Sequence, residues 1–215
     1  MNLRIARRSS ISRYLRVWLG VGFLFSGAAL IVSIFQKVNL GILLLLLGIA
    51  VGCIAALVWK SATSQQKHQI KARISTGLWA GILATLAYDL IRVVIVRAGH
   101  LTFLPFHAFY LFGQLIAGKN VSAHTALAIG TAYHYMNGIM FSIAYCYFLA
   151  GRKWLLGIGW SLSLEIIVLI VYPAWLGLQG MMAEFTVVSL CGHLAYGSVL
   201  GVIAARKAAT GASDA

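Results

Sequence analysis

Four ionisable side chains occur inside long apolar stretches of the sequence. They are Asp89, His134, Glu165 and His193. An ionised side chain at the centre of a bilayer costs about 2.5–3.5 kcal/mol or more unless it is paired or hydrated. Histidines change charge near neutral pH, and imidazoles and carboxylates are also common ligands of divalent metals. The four residues therefore predict a buried polar site that is pH-responsive or binds a metal.

Helical spacing adds supporting residues and suggests a repeat. Three of the four ionisable residues are followed, three positions later, by a polar residue that shares their helix face. A glycine also stands eight residues before each carboxylate, at Gly81 and Gly157. The match suggests a degenerate parallel repeat of two helix pairs, which would bring two carboxylates and two imidazoles together. The supporting residues are Arg92, Asn137 and Tyr196.

Several kinds of chemistry fit this set, and the sequence leaves them open. Dinuclear iron or manganese bundles use these ligand types, but their Glu-x-x-His spacing is absent here. A single divalent metal is the first cofactor alternative, and a haem between the two histidines is the second. A membrane enzyme that acts on a lipid or apolar substrate through these residues is another possibility. The structural alternative is a hydrogen-bonded network without turnover, with Asp89 bound to Arg92 or His134 and Glu165 bound to His193.

The elements that position these residues are predicted to be transmembrane helices. The chain is 61% hydrophobic and 10% charged. With a mean hydropathy of +0.90, its composition suits a bilayer. Six segments approach the roughly 20 apolar residues that a crossing needs. The sequence therefore predicts an all-α polytopic bundle. The predicted spans are Trp18 to Phe35, Leu40 to Trp59, Ile74 to Val96, Thr125 to Leu149, Trp154 to Val171 and Phe185 to Ala205.

The distribution of basic residues predicts an orientation. The chain has 17 Lys and Arg against four Asp and Glu, a formal net charge of +13. Most of these bases flank the apolar segments and fall on one side of a six-span arrangement, so both termini are predicted to be cytoplasmic. Bases arranged in this way orient a membrane protein. The sequence contains no basic stretch interleaved with aromatic residues, so nucleic-acid binding is not predicted. The predicted partners are the lipid bilayer and a small apolar or lipid ligand.

The same pattern divides the chain into regions. A plain transmembrane hairpin is predicted before a four-helix core, and the aromatic loop outside that core is expected to form an interfacial or re-entrant helix. Cys53, Cys146 and Cys191 lie in apolar stretches and are interpreted as small core residues. The predicted regions are a basic N-terminus at 1–17, the hairpin at 18–59, a basic cytoplasmic loop at 60–73, the core at 74–205 with its outer loop at 98–124, and a cytoplasmic tail at 206–215.

Parts of the last three predicted spans resemble a bacterial family. The residues concerned run from His134 to Cys146, including Phe141-Ser-Ile and Tyr145-Cys146, and continue with Pro173, Gly177-Leu178 and Gly192-His193-Leu194. Over these three spans the chain looks like the YagU-like multi-pass inner-membrane proteins. The resemblance implies a location in the bacterial inner membrane and a link to acid stress. It names no reaction.

Overall fold

Helices make up most of the chain in the computed structural model, which describes residues 14–211 and the side chains up to Arg206. The predictions for residues 1–13 and 212–215, including the N-terminal arginines and Asp214, lie outside the described residues. Eight helices and no strand occur within 14–211. They are α1 (Tyr14–Gly22), α2 (Phe25–Gln36), α3 (Leu40–Ser61), α4 (Ser64–Ala98), α5 (His107–Ala117), α6 (Ala123–Leu149), α7 (Leu155–Leu176) and α8 (Met182–Gly211).

Four of these helices, α3, α4, α7 and α8, are long and apolar enough to cross a membrane. The pair α1 and α2 would make a fifth crossing if it acts as one span, although its two parts meet at a bend of 57°. Helix α6 has 27 residues but is not among these candidates, because polar residues such as His134 and Asn137 interrupt its apolar sequence. The all-helical prediction is therefore confirmed, with four or five candidate spans in the described part of the chain.

Local sequence signals explain where several helices begin. Asn39 caps α3 by accepting a hydrogen bond from the backbone N–H of Ile42 at 3.0 Å. Thr63 and Gln66 form a reciprocal capping box at the start of α4. This cap starts α4 well before the predicted span at Ile74, so most of the predicted basic loop at 60–73 is helical. The polar residues of this loop form the first turns of α4. Hydropathy alone therefore predicts the start of this helix too late.

Side chains are distributed as expected for a protein in lipid. Helix α4 exposes a stripe of large apolar residues, among them Leu83, Leu90 and Val94. Its opposite face buries small and polar residues, and Gly77 and Gly81 lie directly against the backbone of α6. Small residues at a helix contact allow close approach, which is the usual basis of helix association in membranes. The polar face of α4 is therefore the face that meets the rest of the bundle.

Basic residues collect at one end of the bundle. Arg73 near the start of α4 donates to the carbonyl of Tyr147 near the end of α6, and Gly151 donates to the carbonyl of Ala204 in α8. At the other end, Glu184 at the start of α8 binds the segment that follows α4. Of the described acids, none lies at the basic end. The bases there are Arg16, Lys60, Lys67, Lys71, Arg73, Arg152, Lys153 and Arg206.

Candidate functional site

The first of two buried polar pairs joins α4 to α6. Nε2 of His134 lies 3.2 Å from Oδ1 of Asp89, within ion-pair distance but without the alignment of a hydrogen bond. Arg92, three residues along α4, reaches the same oxygen at 3.3 Å and also donates to the carbonyl of Pro105. Asp89 and Arg92 are both buried. Both partners that the sequence offered for Asp89 therefore contact it.

The second pair joins α7 to α8. Nδ1 of His193 lies 2.7 Å from Oε2 of Glu165, and the hydroxyl of Ser189 donates to the same oxygen at 2.7 Å. The carbonyl of Ser189 also faces Nδ1, at 3.0 Å. Because both neighbours of Nδ1 are acceptors, Nδ1 must carry the hydrogen. Nε2 is then the ring atom left available, and no hydrogen bond within the described chain involves it.

Each pair is supported by the glycine that the sequence placed eight residues before its carboxylate. A Cβ added to Gly81 would lie 2.7 Å from Cα of Ile139 in α6, and one added to Gly157 would lie 2.6 Å from Cα of Gly201 in α8. Real Cβ atoms do not approach other atoms so closely, so only glycine permits these helix contacts. The same arrangement of glycine, carboxylate and partner histidine thus occurs in α4–α6 and in α7–α8.

Tyr88 stands between the two pairs. Its ring centroid lies 5.8 Å from that of His134 and 5.0 Å from that of His193, and the Arg92 guanidinium lies 4.8 Å above it. The four predicted residues therefore form two separate pairs, and the histidine of each pair meets the same aromatic ring. No group of three or more His, Cys, Asp or Glu side chains that could hold a metal ion occurs among the described residues.

A cavity of about 530 Å³ adjoins both histidines. His134 and His193 line it, whereas Asp89 and Glu165 lie behind them and do not. Carboxylates placed in this way orient the imidazoles, as in the acid–histidine pairs of many sites. Most of the remaining wall is apolar and comes from several helices, including Leu30 of α2. The predicted plain hairpin therefore forms part of the cavity.

The cavity wall includes all three supporting residues. Arg92 holds the first pair, as described above. Asn137 accepts a hydrogen bond from the Ser26 hydroxyl at 2.7 Å, which ties α2 to α6. The Tyr196 hydroxyl donates to the carbonyl of Gly138 at 2.6 Å and lies 2.7 Å from the Ser142 hydroxyl. Asn137 and Tyr196 thus fix helices around the cavity and lie outside the two ion pairs.

Helix α5 closes part of the cavity wall. It lies in the predicted outer loop at 98–124, yet Phe109 and Phe112 are buried in the bundle. A Cβ on Gly130 would overlap the carbonyl of Phe109, so α5 and α6 touch through their backbones. The Phe109 ring stacks on His134 with centroids 4.3 Å apart. The outer segment is thus a packed part of the candidate site.

Besides Phe109, two residues that contact the pairs were not predicted from the sequence. Tyr88 directly precedes Asp89, and nothing in the sequence distinguishes it from other span tyrosines. Ser189 lies four residues before His193 and so shares its helix face, a spacing that indicated its role. Among the other histidines, His107 lines the cavity.

No protein family model, curated protein or solved structure matches this chain with significant similarity. The resemblance of the last three predicted spans to the YagU-like proteins remains a prediction.

Proposed function

We propose that this chain is a multi-pass membrane protein that binds an amphiphilic, lipid-like molecule in the cavity beside His134 and His193. One observation carries the proposal: two carboxylate-backed histidines share a largely apolar cavity. The cavity volume is about 530 Å³. Small-molecule sites usually have volumes between about 300 Å³ and about 1000 Å³, so the cavity is large enough for such a ligand. An apolar body suits most of the wall, and a polar end suits the histidines.

The membrane arrangement in this proposal has six crossings. The bent α1–α2 pair counts as one, α3, α4, α7 and α8 are four more, and α6 is the sixth. Helix α6 has 27 residues. At about 1.5 Å per residue it extends about 40 Å, which exceeds a hydrocarbon core of about 30 Å. The basic end of the bundle faces the cytoplasm, as in a bacterial inner-membrane protein, so both termini lie on that side.

The polar end of the ligand meets three groups. Nε2 of His193 is free to accept a hydrogen bond, or to donate one when the ring is protonated. Thr85 Oγ1 and Arg92 Nε are buried without a partner in the described chain. Thr85 and Arg92 both line the cavity. A hydroxyl or carboxylate at the end of an apolar chain would satisfy such atoms. Because imidazole is the side chain that changes charge between about pH 5 and 8, binding is expected to respond to pH.

The ligand reaches this site from the side of the bundle. The cavity wall includes Ala28 of α2 and Ile167 of α7, and both residues are exposed. Ile167 is 43% exposed on a helix that also presents Ile170 to its surroundings, at 72%. An opening at this level of a bilayer connects the cavity to lipid, which favours an apolar ligand over a water-soluble one.

Binding of cis-parinaric acid to the full chain, held in amphipol, tests the proposal by fluorescence. Wild type should bind this fatty acid saturably. Ala108 lines the cavity, so Ala108→Phe should weaken binding about ten-fold or more by filling the space. Gly52→Phe is the matched control, because a Cβ at Gly52 meets no atom within 4 Å. Equal binding by both variants would place the probe outside the cavity and refute the proposal.

The role of the histidines has its own test. His193→Gln should leave the apolar part of the cavity intact and weaken binding by only a few fold, through loss of the imidazole nitrogen at the polar end of the ligand. His68→Gln is the control, because His68 is an exposed residue at the basic end of the chain. An unchanged affinity in His193→Gln would show that His193 does not meet the polar end of the ligand.

A second candidate function is acid–base catalysis on the same kind of molecule. The Glu165–His193 pair favours it, because a carboxylate on Nδ1 with Nε2 available is the usual arrangement of a general base. Incubating the bound lipid with wild-type protein, followed by mass spectrometry, would reveal a product that His193→Gln fails to form. A lipid recovered unchanged from both would support binding alone.

A further inference from the structure

A second, smaller pocket lies at the basic end of the bundle, far from the histidines. It has a volume of about 270 Å³ and is formed by the start of α1, the first turns of α4 and the last turns of α6. Arg73 precedes Asp89 by more than four turns of α4, which corresponds to about 24 Å along the helix. The pocket and the cavity are therefore separate sites. The polar residues of the pocket are Arg16, Gln66, Gln69 and Arg73.

Two guanidinium groups line this pocket and no carboxylate of the described chain does. Arg73 is held in place, because it donates to the carbonyl of Tyr147 in α6. Arg16 forms no salt bridge with the described acids, since Asp89, Glu165 and Glu184 all lie elsewhere in the bundle. Guanidinium groups present several N–H donors in a planar fork that fits phosphate oxygens, and the two carboxamides add further donors. The polar side of the pocket thus has the chemistry of a phosphate site.

The other side of the pocket is apolar and faces outward. Val17 and Phe148 line it with 49% and 39% of their surfaces exposed. Trp18, beside Val17, is 61% exposed, as expected for an indole at the level of lipid headgroups. A free phosphate ion gains no favourable contact from an apolar surface. A phospholipid would place its phosphate between the arginines and its acyl chains along Val17 and Phe148.

We infer that this pocket binds the headgroup of an anionic phospholipid through Arg16 and Arg73. The inference rests on the helices crossing a bilayer and is independent of the ligand in the cavity. Clusters of bases beside membrane helices attract anionic lipids, and each base contributes about five-fold to the affinity. Two arginines therefore give about 25-fold selectivity for phosphatidylglycerol over phosphatidylcholine.

Native mass spectrometry of the full chain with added phosphatidylglycerol or phosphatidylcholine tests this site. Wild type should retain phosphatidylglycerol with about 25-fold selectivity. Arg16→Gln combined with Arg73→Gln should remove most of that selectivity. Lys67→Gln combined with Lys71→Gln is the matched control, since it removes the same charge at the same end. These lysines lie over the Trp59 ring, 5.4 and 5.3 Å from its centroid. Their loss should lower the selectivity clearly less than loss of the arginine pair does, because neither lysine lines the pocket.

Loss of Arg73 could disturb folding, because this residue joins α4 to α6. The single Arg16→Gln variant still tests the site, because the Arg16 side chain makes no hydrogen bond or salt bridge to the described helices. It should lower the selectivity about five-fold. Equal affinity of wild type for both lipids would overturn the inference. So would equal losses in the lysine and arginine pairs, which indicate diffuse attraction. Full displacement of phosphatidylglycerol by millimolar inorganic phosphate would also overturn it, by showing a site for the free ion.

Discussion

Replacing Glu165 with leucine removes the acceptor of two buried donors. Oε2 of this carboxylate lies 2.7 Å from both the Ser189 hydroxyl and Nδ1 of His193, and Glu165 is only 2% exposed. Hydrogen bonds between membrane helices contribute about 0.6 kcal/mol on average and up to about 1.7 kcal/mol. Two such bonds therefore contribute about 1–3 kcal/mol.

The single substitution is not decisive, because leucine also removes the desolvation cost of a buried carboxylate, which offsets part of the loss. A double-mutant cycle of Glu165→Leu with His193→Leu isolates the interaction between the two side chains. We expect a coupling free energy of about 1–2 kcal/mol, above the average for membrane helices because one partner is charged.

The assay is reversible unfolding in mixed micelles by titration with sodium dodecyl sulfate, followed by far-ultraviolet circular dichroism. A second cycle of Glu165→Leu with Thr102→Val is the control, since Thr102 hydrogen-bonds to Glu184 and not to this pair. Its coupling should lie within about 0.5 kcal/mol of zero. A coupling equally small for Glu165 and His193 would refute the claim that the carboxylate holds the imidazole.

Two further predictions concern the helix contacts and the segment after α4. Gly201→Ala should lower the free energy of unfolding by about 1–3 kcal/mol, because its Cβ would overlap the Trp154 carbonyl. In the same titration, Gly52→Ala should leave stability unchanged or raise it, because alanine favours a helix. Glu184→Gln should speed amide hydrogen exchange at Thr102, whose N–H lies 2.8 Å from the Glu184 carboxylate. Unchanged exchange there would show that this bond does not hold the segment.

The helices were largely predictable, because apolar length is the dominant signal in a membrane protein. The predicted span at Leu40 to Trp59 agrees closely with α3 at both ends. The Thr63-x-x-Gln66 capping box marks the early start of α4 in the sequence. Hydropathy does not detect this start, because the first turns of the helix are polar. Proline disfavours the continuation of a helix, and α7 ends one turn after Pro173, at Leu176.

The candidate site was predictable in its residues and less so in its contacts. Burial of charge in lipid is costly enough to mark Asp89 and Glu165 from sequence alone. Which histidine each one meets depends on helix rotation, which sequence spacing does not fix, so the pairing was one alternative among several. The stacking of Phe109 on His134 could not be predicted from the sequence, because it depends on how α5 folds back onto α6. The cavity itself is a product of that packing.

The most direct test of the account is photo-crosslinking of a diazirine-bearing fatty acid to the full chain, with the adducts located by mass spectrometry. A ligand beside the two histidines should give adducts on peptides that line the cavity, around Phe109 and Val168, and these should be lost in Ala108→Phe. Adducts confined to outward residues such as Leu45 and Ile170, and unchanged in Ala108→Phe, would show ordinary contact with surrounding lipid and contradict a ligand beside the two histidines.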